Sequence, residues 1–436
     1  MKRFAFQLSA LPVMMLAIGL GGEASPAIAD WPAFLGGQAK DQIEKFSPPI
    51  EWSPTENIAW QAAITGYGQS SPVIVGDHVY VTAVDGPMKE SNLVACYSLA
   101  DGTKRWEKSF PSSLQVKNDL YTSRAAPTPT ADEAGIYAFF ESGNMVALTP
   151  TGDLRWERDL MADYGKFDGR FGLGGSLVQN DSSVFVLADN DGAAYIAAFD
   201  KSSGKTIWKT DRTPRISWSS PTLVPVGDSH HIVVSSSGSV DGYDPVSGAL
   251  LWTFDDVGGN TVATPIAVGD ARFLVGASPG RSGENAEGAK QSNMLMQIVP
   301  LPADGATQYV AEVVWRNESA TSSFGSPIAY RGYAYYTNRA GVLYCIDLNH
   351  GDTAYTSRMP QSNWATPYGI GENVFIFGKS GTTSVIAAGD EINMVAENQL
   401  WVASEAEAGE TLYGVAPLPD GFLVRTGTRL FRIVAP

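Results

Sequence analysis

The segment Asp244-Pro-Val-Ser-Gly-Ala-Leu-Leu-Trp252 decides the fold, because the chain repeats it. Close copies are Leu99-Ala-Asp-Gly-Thr-Lys-Arg-Trp106, Thr149-Pro-Thr-Gly-Asp-Leu-Arg-Trp156 and Asp200-Lys-Ser-Ser-Gly-Lys-Thr-Ile-Trp208. Weaker copies are Asp304-Gly305 leading to Trp315, Asp347-Leu-Asn-His-Gly-Asp-Thr-Ala-Tyr355 and Gly389-Asp390 leading to Trp401. A turn glycine followed by an aromatic residue, recurring every 40 to 60 residues or so, is the period of a β-propeller blade. Each unit opens on a small-residue mark: Ser70-Ser-Pro72, Ala125-Ala-Pro127, Gly174-Gly-Ser176, Ser219-Ser-Pro221, Ala263-Thr-Pro265, Gly325-Ser-Pro327, Ala365-Thr-Pro367 and Gly414-Val-Ala-Pro417. Eight openings predict eight blades, their small residues letting inner strands crowd a central axis.

Between the marks lie short apolar runs such as His78-Val-Tyr-Val-Thr82, split by turn residues, which read as consecutive antiparallel strands. Four strands fit each unit except the last, which has room for three. Residues 56–64, with Trp60, read as an unpartnered outer strand that completes that blade and closes the ring, removing open sheet edges. The expectation is an all-β, eight-bladed propeller over residues 56–436. Its seams are covered by Trp60, Trp106, Trp156, Trp208, Trp252, Trp315, Tyr355 and Trp401. An aromatic residue that recurs in every unit is a fastener between blades and not a ligand site.

Composition agrees. The chain has 436 residues, 45 Gly, 26 Pro and only 17% charged residues, a balance suited to short strands and turns. Residues 1–29 read as a secretory signal: Lys2-Arg3, an apolar stretch through Leu20, then Ala27-Ile-Ala29 before Asp30. Pro12 interrupts the stretch, which is short for a membrane anchor, and no cysteine is present there for lipid attachment. The mature chain is expected to be periplasmic or secreted, a monomer, with no integral span. Residues 30–55 read as an extended lead-in packed on the outside. A net charge of −16 without basic runs argues against nucleic acid as a partner.

The repeated segments resemble the tryptophan-docking motifs of the pyrroloquinoline quinone (PQQ) enzyme-like β-propeller family, which holds both quinoprotein dehydrogenases and BamB-like assembly factors. The resemblance covers nearly all of residues 56–436. It implies the fold and leaves two functional classes open. The enzyme class implies PQQ with a calcium ion, a catalytic carboxylate and a disulfide of adjacent cysteines. Here the only cysteines, Cys96 and Cys345, each stand six residues before a motif glycine, where other units carry Val146, Ala198 and Gly242. They read as buried residues in two non-neighbouring blades. No cofactor and no metal is predicted. The four histidines lack ligand spacing, Asp189-Asn-Asp191-Gly192 fails as a calcium loop, and Gly276-Ala-Ser-Pro-Gly280 has no helix to make it a nucleophile elbow.

Propeller strand order sends the start of each inner strand and the loop between second and third strands to one face. That face would gather Tyr67, Tyr121, Arg124, Arg170, Trp218, Phe324, Trp364 and Tyr413 around the channel mouth, with insertions at 85–91 and 278–293. Aromatic rings with a few arginines suit a flat cofactor or a protein or peptide partner. The expected function is a noncatalytic scaffold for envelope proteins or peptides; a PQQ-dependent oxidoreductase and a carbohydrate or small-ligand binder are the alternatives.

Overall fold

A computed structural model describes residue 1 and residues 30–119, 122–302, 307–402 and 410–435. Apart from Met1, the expected signal segment lies outside the described residues. The chain folds into eight four-stranded antiparallel sheets. Blades 1 to 7 occupy residues 73–111, 130–159, 178–211, 222–254, 266–316, 328–358 and 368–399. In blade 8 the inner strands Leu412–Leu418, Gly421–Thr426 and Arg429–Val434 are completed by Ile58–Ala63, which pairs antiparallel with Arg429–Val434.

The opening marks have a purpose beyond small size. A relay of hydroxyl and amide groups runs around the axis, each backbone N–H donating to the hydroxyl of the next blade. Ser71 donates to Thr128 (2.9 Å), Thr128 to Ser176 (3.1 Å) and Ser176 to Ser220 (2.9 Å). Ser220 donates to Thr264, Thr264 to Ser326 and Ser326 to Thr366, each at 3.0 Å. These buried amides at the crowded axis would otherwise have no partner. Blade 8 carries Val415 and Ala416 instead of a hydroxyl, and Tyr368 Oη donates to the Val415 carbonyl at 2.9 Å. The relay is interrupted there.

Five outer seams share one geometry. The indole N–H groups of Trp60, Trp106, Trp156, Trp208 and Trp315 donate to the carbonyls of Leu99, Pro150, Lys201, Pro245 and Leu348 in the following blade, at 2.8–3.1 Å. The ring faces cover Gly102, Gly152, Gly204, Gly248 and Gly351, where a Cβ would come within 2.4–2.8 Å of the indole. All five glycines have φ between 68° and 84°, so backbone conformation and contact both require glycine. A bulge recurs in the outer hairpin of every blade, at Cys96/Tyr97 in blade 1, and turns the docking aromatic toward the seam.

Three seams depart from the expected uniform docking. Trp252 lies across Gly242 of its own blade, donates to His231 Nδ1 at 3.1 Å and stacks on Phe273 of blade 5. Between blades 6 and 7 the Gly389 N–H donates to Tyr335 Oη at 3.0 Å. Trp401 packs over Gly381 of its own blade and stacks near Phe431 of blade 8. In blade 2 the residue opposite the docking Trp156 is Ala147, not Val146, because the motif loop is one residue shorter there.

The lead-in differs from the extended, external segment expected. Trp31 is 1% exposed and pairs with Ile74 on the inner strand of blade 1, and the Pro32 carbonyl accepts from the Ala131 N–H of blade 2. Residues Phe34–Lys45 form 3₁₀ turns beside the inner strands of blades 3, 7 and 8. The chain then leaves along the seam of blades 7 and 8, where Trp52 stacks on Phe375 and Phe377. Burying Trp31 and Trp52 outweighs the turn-forming, Pro-rich character of the segment, because each indole removes a large apolar area from water. No helix among the described residues is long and apolar enough to cross a membrane.

Candidate functional site at the channel mouth

The residues before the inner strands converge on one end of the ring, and five of the eight expected there make a continuous arc. The Arg124 guanidinium lies over the Tyr67 ring, 3.3 Å from its centroid. Tyr67 and Tyr413 share a hydroxyl contact of 2.9 Å. Tyr413 packs on Trp364 at 6.1 Å, and Trp364 on Phe324 at 4.8 Å. The arc crosses blades 2, 1, 8, 7 and 6. Lys379, absent from the sequence-based set, sets its ammonium 4.2 Å from the Trp364 ring centroid.

Arg170 and Trp218 form a separate group. Arg170 lies over Phe171, Phe171 packs on Trp218, and the Trp218 indole N–H donates to the Gly172 carbonyl at 2.9 Å. Tyr121 lies outside the described residues. The 278–293 insertion folds onto blade 6, where Arg339 Nη2 donates to the Arg281 carbonyl at 2.9 Å.

The arc borders a cleft of about 120 Å³ lined by Ser71, Phe324, Trp364, Thr366, Tyr413 and Val415, with Phe34 and Leu35 of the lead-in as further walls. It sits where the axial hydroxyl relay is interrupted at blade 8. The lead-in residues were not among the sequence-based candidates because nothing in their pattern reveals that the segment turns inward.

Charge at the mouth is arranged unevenly. Glu141 is fully buried; burial raises its pKa, opposed by Lys89, 3.4 Å away, and by the Ala125 N–H at 3.1 Å. On blades 3 and 4, buried Arg212 reaches Asp189 at 2.7 Å and Asp241 at 3.1 Å, and Ser236 Oγ donates to Asp189 at 2.6 Å. Arg124 is 5% exposed, and among the described residues its Nε and Nη2 are buried without a hydrogen-bond partner. Fully buried Arg425 donates to the Ser70 carbonyl at 3.0 Å and the Thr82 carbonyl at 2.5 Å; burial lowers its pKa to about 9. Burial, then the neighbouring Tyr413, pushes the Tyr67 phenol well above its ordinary value.

This donor set is aromatic and cationic, which does not fit a calcium ion, whose ligands are oxygens. The carboxylates present, Glu141, Asp189 and Asp241, are already engaged by Lys89 and Arg212. Among the described residues no three candidate metal ligands are brought together. Cys96 and Cys345 are buried and free, in blades 1 and 6, with burial pushing each thiol up to about 12.

Known proteins match both fold and sequence. Among solved structures, BamB from Moraxella catarrhalis superposes with a TM-score of 0.58 at 13% identity, covering 86% of this chain and 96% of that one. The quinohemoprotein alcohol dehydrogenase of Comamonas testosteroni gives 0.57 at 12% identity, covering 92% and 80%. At such identities these likenesses speak to fold alone. The outer membrane protein assembly factor BamB of Burkholderia pseudomallei is 25% identical over 233 residues, 51% of this chain and 54% of that protein. Its counterpart in Alkalilimnicola ehrlichii is 26% identical over 221 residues, 49% and 50%. The chain thus spans about half the length of the curated relatives it matches. A family model described as outer membrane protein assembly factor BamB matches residues 50–194 and 192–291, more than half of the chain. The chain belongs to that BamB-like propeller family.

Proposed function

We propose that this chain is a noncatalytic binding propeller of the cell envelope, exported by residues 1–29, acting as a monomer and receiving a protein or peptide partner at the channel mouth. The observation that carries the reading is the arc from Arg124 to Phe324 bordering a cleft of about 120 Å³. Phe324 is 43% exposed while its ring packs on Trp364. Exposed aromatics with arginine beside a pocket are the side chains that dominate interface energetics. The cleft accepts one or two side chains and is small for a drug-sized ligand, which favours a peptide contact over a buried cofactor. Belonging to a family described by its assembly factor supports an envelope role.

The test places a photo-crosslinking residue at Phe324 and, as a control, at Val246 on the opposite, motif-loop side. Crosslinks to envelope proteins from Phe324 and not from Val246 support the reading. In parallel, PQQ and calcium are titrated while indole fluorescence and alcohol-dependent dye reduction are followed. Saturable quenching accompanied by turnover overturns it.

A further inference from the structure

Buried cations in this protein are otherwise matched by carboxylates. Arg212 has Asp189 and Asp241, Lys89 has Glu141, and Lys201 has Asp132 at 2.9 Å. Arg124 and Arg425 have no ion-pair partner among the described residues, although the chain carries 46 Asp and Glu. Glu141 is beside Arg124 in the fold, yet its oxygens meet the Ala125 N–H and Lys89. An ion held out of water without a counter-ion is costly. Stacking on Tyr67 offsets part of that cost. Two such groups flank one tyrosine pair. Arg124 covers Tyr67, and Arg425 holds Ser70, the chain neighbour of the cleft residue Ser71. Lys379 adds a third positive charge over Trp364 on the far side of the cleft.

We propose that Arg124 forms a carboxylate-binding site, supported by the field of Arg425, and that its ligand is an acidic peptide segment that seats an adjacent apolar side chain in the cleft. This deepens the reading of the mouth as a peptide-docking face and rests on it. The carboxylate completes the guanidinium's hydrogen bonds in a partly desolvated site, where charge-assisted bonds are strongest. The apolar neighbour enters against Phe324, Trp364 and Phe34. A net charge of −16 repels acidic chains at long range, so recognition is local to the mouth and depends on contact. The carboxylate comes from an Asp or Glu side chain or from a chain terminus, two sources with one chemistry.

The experiment uses the full chain and three fluorescein-labelled peptides: Gly-Ser-Asp-Phe-Gly-Ser amidated at its terminus, the same peptide with Asn for Asp, and Gly-Ser-Gly-Ser-Phe with a free carboxylate. Fluorescence anisotropy is read at low salt. The Asp peptide or the free-terminus peptide binds at least about tenfold tighter than the Asn peptide, the worth of a hydrogen bond to a charged group. Whichever of the two binds identifies the source. Arg124→Met abolishes that discrimination, Arg124→Lys restores part of it, and Trp364→Ala weakens all three peptides alike. If Trp364→Ala weakens binding but the Asp, Asn and free-terminus peptides bind equally to the wild type, the carboxylate site falls and the docking face stands. If Trp364→Ala and Arg124→Met both leave all binding unchanged, both readings fall. Circular dichroism confirms that each variant is folded, and Arg124→Lys, which keeps the charge, supplies the test should Arg124→Met not fold.

Discussion

Two quarters of the same face treat a buried arginine in opposite ways. Between blades 3 and 4, Arg212 is enclosed with two carboxylates, a serine hydroxyl and Tyr243, whose hydroxyl also accepts from it. The neighbouring carboxylates raise its pKa in spite of burial. Across blades 8, 1 and 2, Arg124 and Arg425 meet aromatic rings and backbone carbonyls, and burial lowers the Arg425 pKa to about 9. A network that satisfies itself stiffens a seam; one that stays open is the one proposed above as a receptor. The difference sets structural charge apart from the charge proposed for recognition.

Removing a carboxylate from the closed quarter should do the most damage. Asp189→Asn leaves Arg212 buried with one counter-ion, and stability is expected to fall by about 3–5 kcal/mol, seen as a lower urea midpoint. Peptide binding at the mouth stays unchanged. Next comes Glu141→Gln, which strips Lys89 of its partner while leaving the Ser123 carbonyl as acceptor; a loss of about 1–3 kcal/mol is expected by the same assay. Arg124→Met should sit within about 1 kcal/mol of the wild type, or above it, because a buried unpaired charge is replaced by an apolar chain of similar length. A loss as large as that of Asp189→Asn would erase the contrast between the two quarters.

The closed quarter was hidden in the sequence and the belt of seams was not. An aromatic residue four positions after a repeated glycine announces itself, because blade packing demands the same contact at Gly102, Gly152, Gly204, Gly248 and Gly351. Eight blades, and the identity of Arg124, Tyr67, Tyr413, Trp364 and Phe324 as mouth residues, follow from repeat phase alone. Repeat phase gives the face and not the neighbours. It therefore joined Arg170 and Trp218 to the same set, although they pack on Phe171 and Gly172 instead. Arg212, Asp189 and Asp241 meet only once in the ring, so no period signals them, and Phe34 and Leu35 reach the cleft through a lead-in whose inward path depends on where Trp31 and Trp52 find cover. The irregular seam of blades 4 and 5 was equally invisible, since Trp252 looks like an ordinary member of the series.

That irregular seam gives the closed side of the ring its own sensitivity to acid. His231 is 3% exposed, accepts the Trp252 indole N–H at Nδ1 and meets the Tyr309 ring edge-on at 4.5 Å. An accepting Nδ1 requires the neutral ring with its proton on Nε2. Burial holds the His231 pKa below its ordinary 6.5, with Asp244 opposing more weakly. Below about pH 6.5 the unfolded chain takes up a proton that the folded chain refuses, so this residue's contribution is full above that pH. It declines as pH falls toward the folded pKa and then levels. The amplitude should stay under about 1 kcal/mol, the scale of one neutral hydrogen bond. His231→Gln keeps an acceptor and removes the titration, so subtracting its urea midpoints from those of the wild type between pH 7.5 and 5 isolates the step. A difference curve that is flat, or that rises toward acid, would show that the indole is not held by a neutral imidazole. Peptide affinity at the mouth, on the open side of the ring, should not follow the same curve.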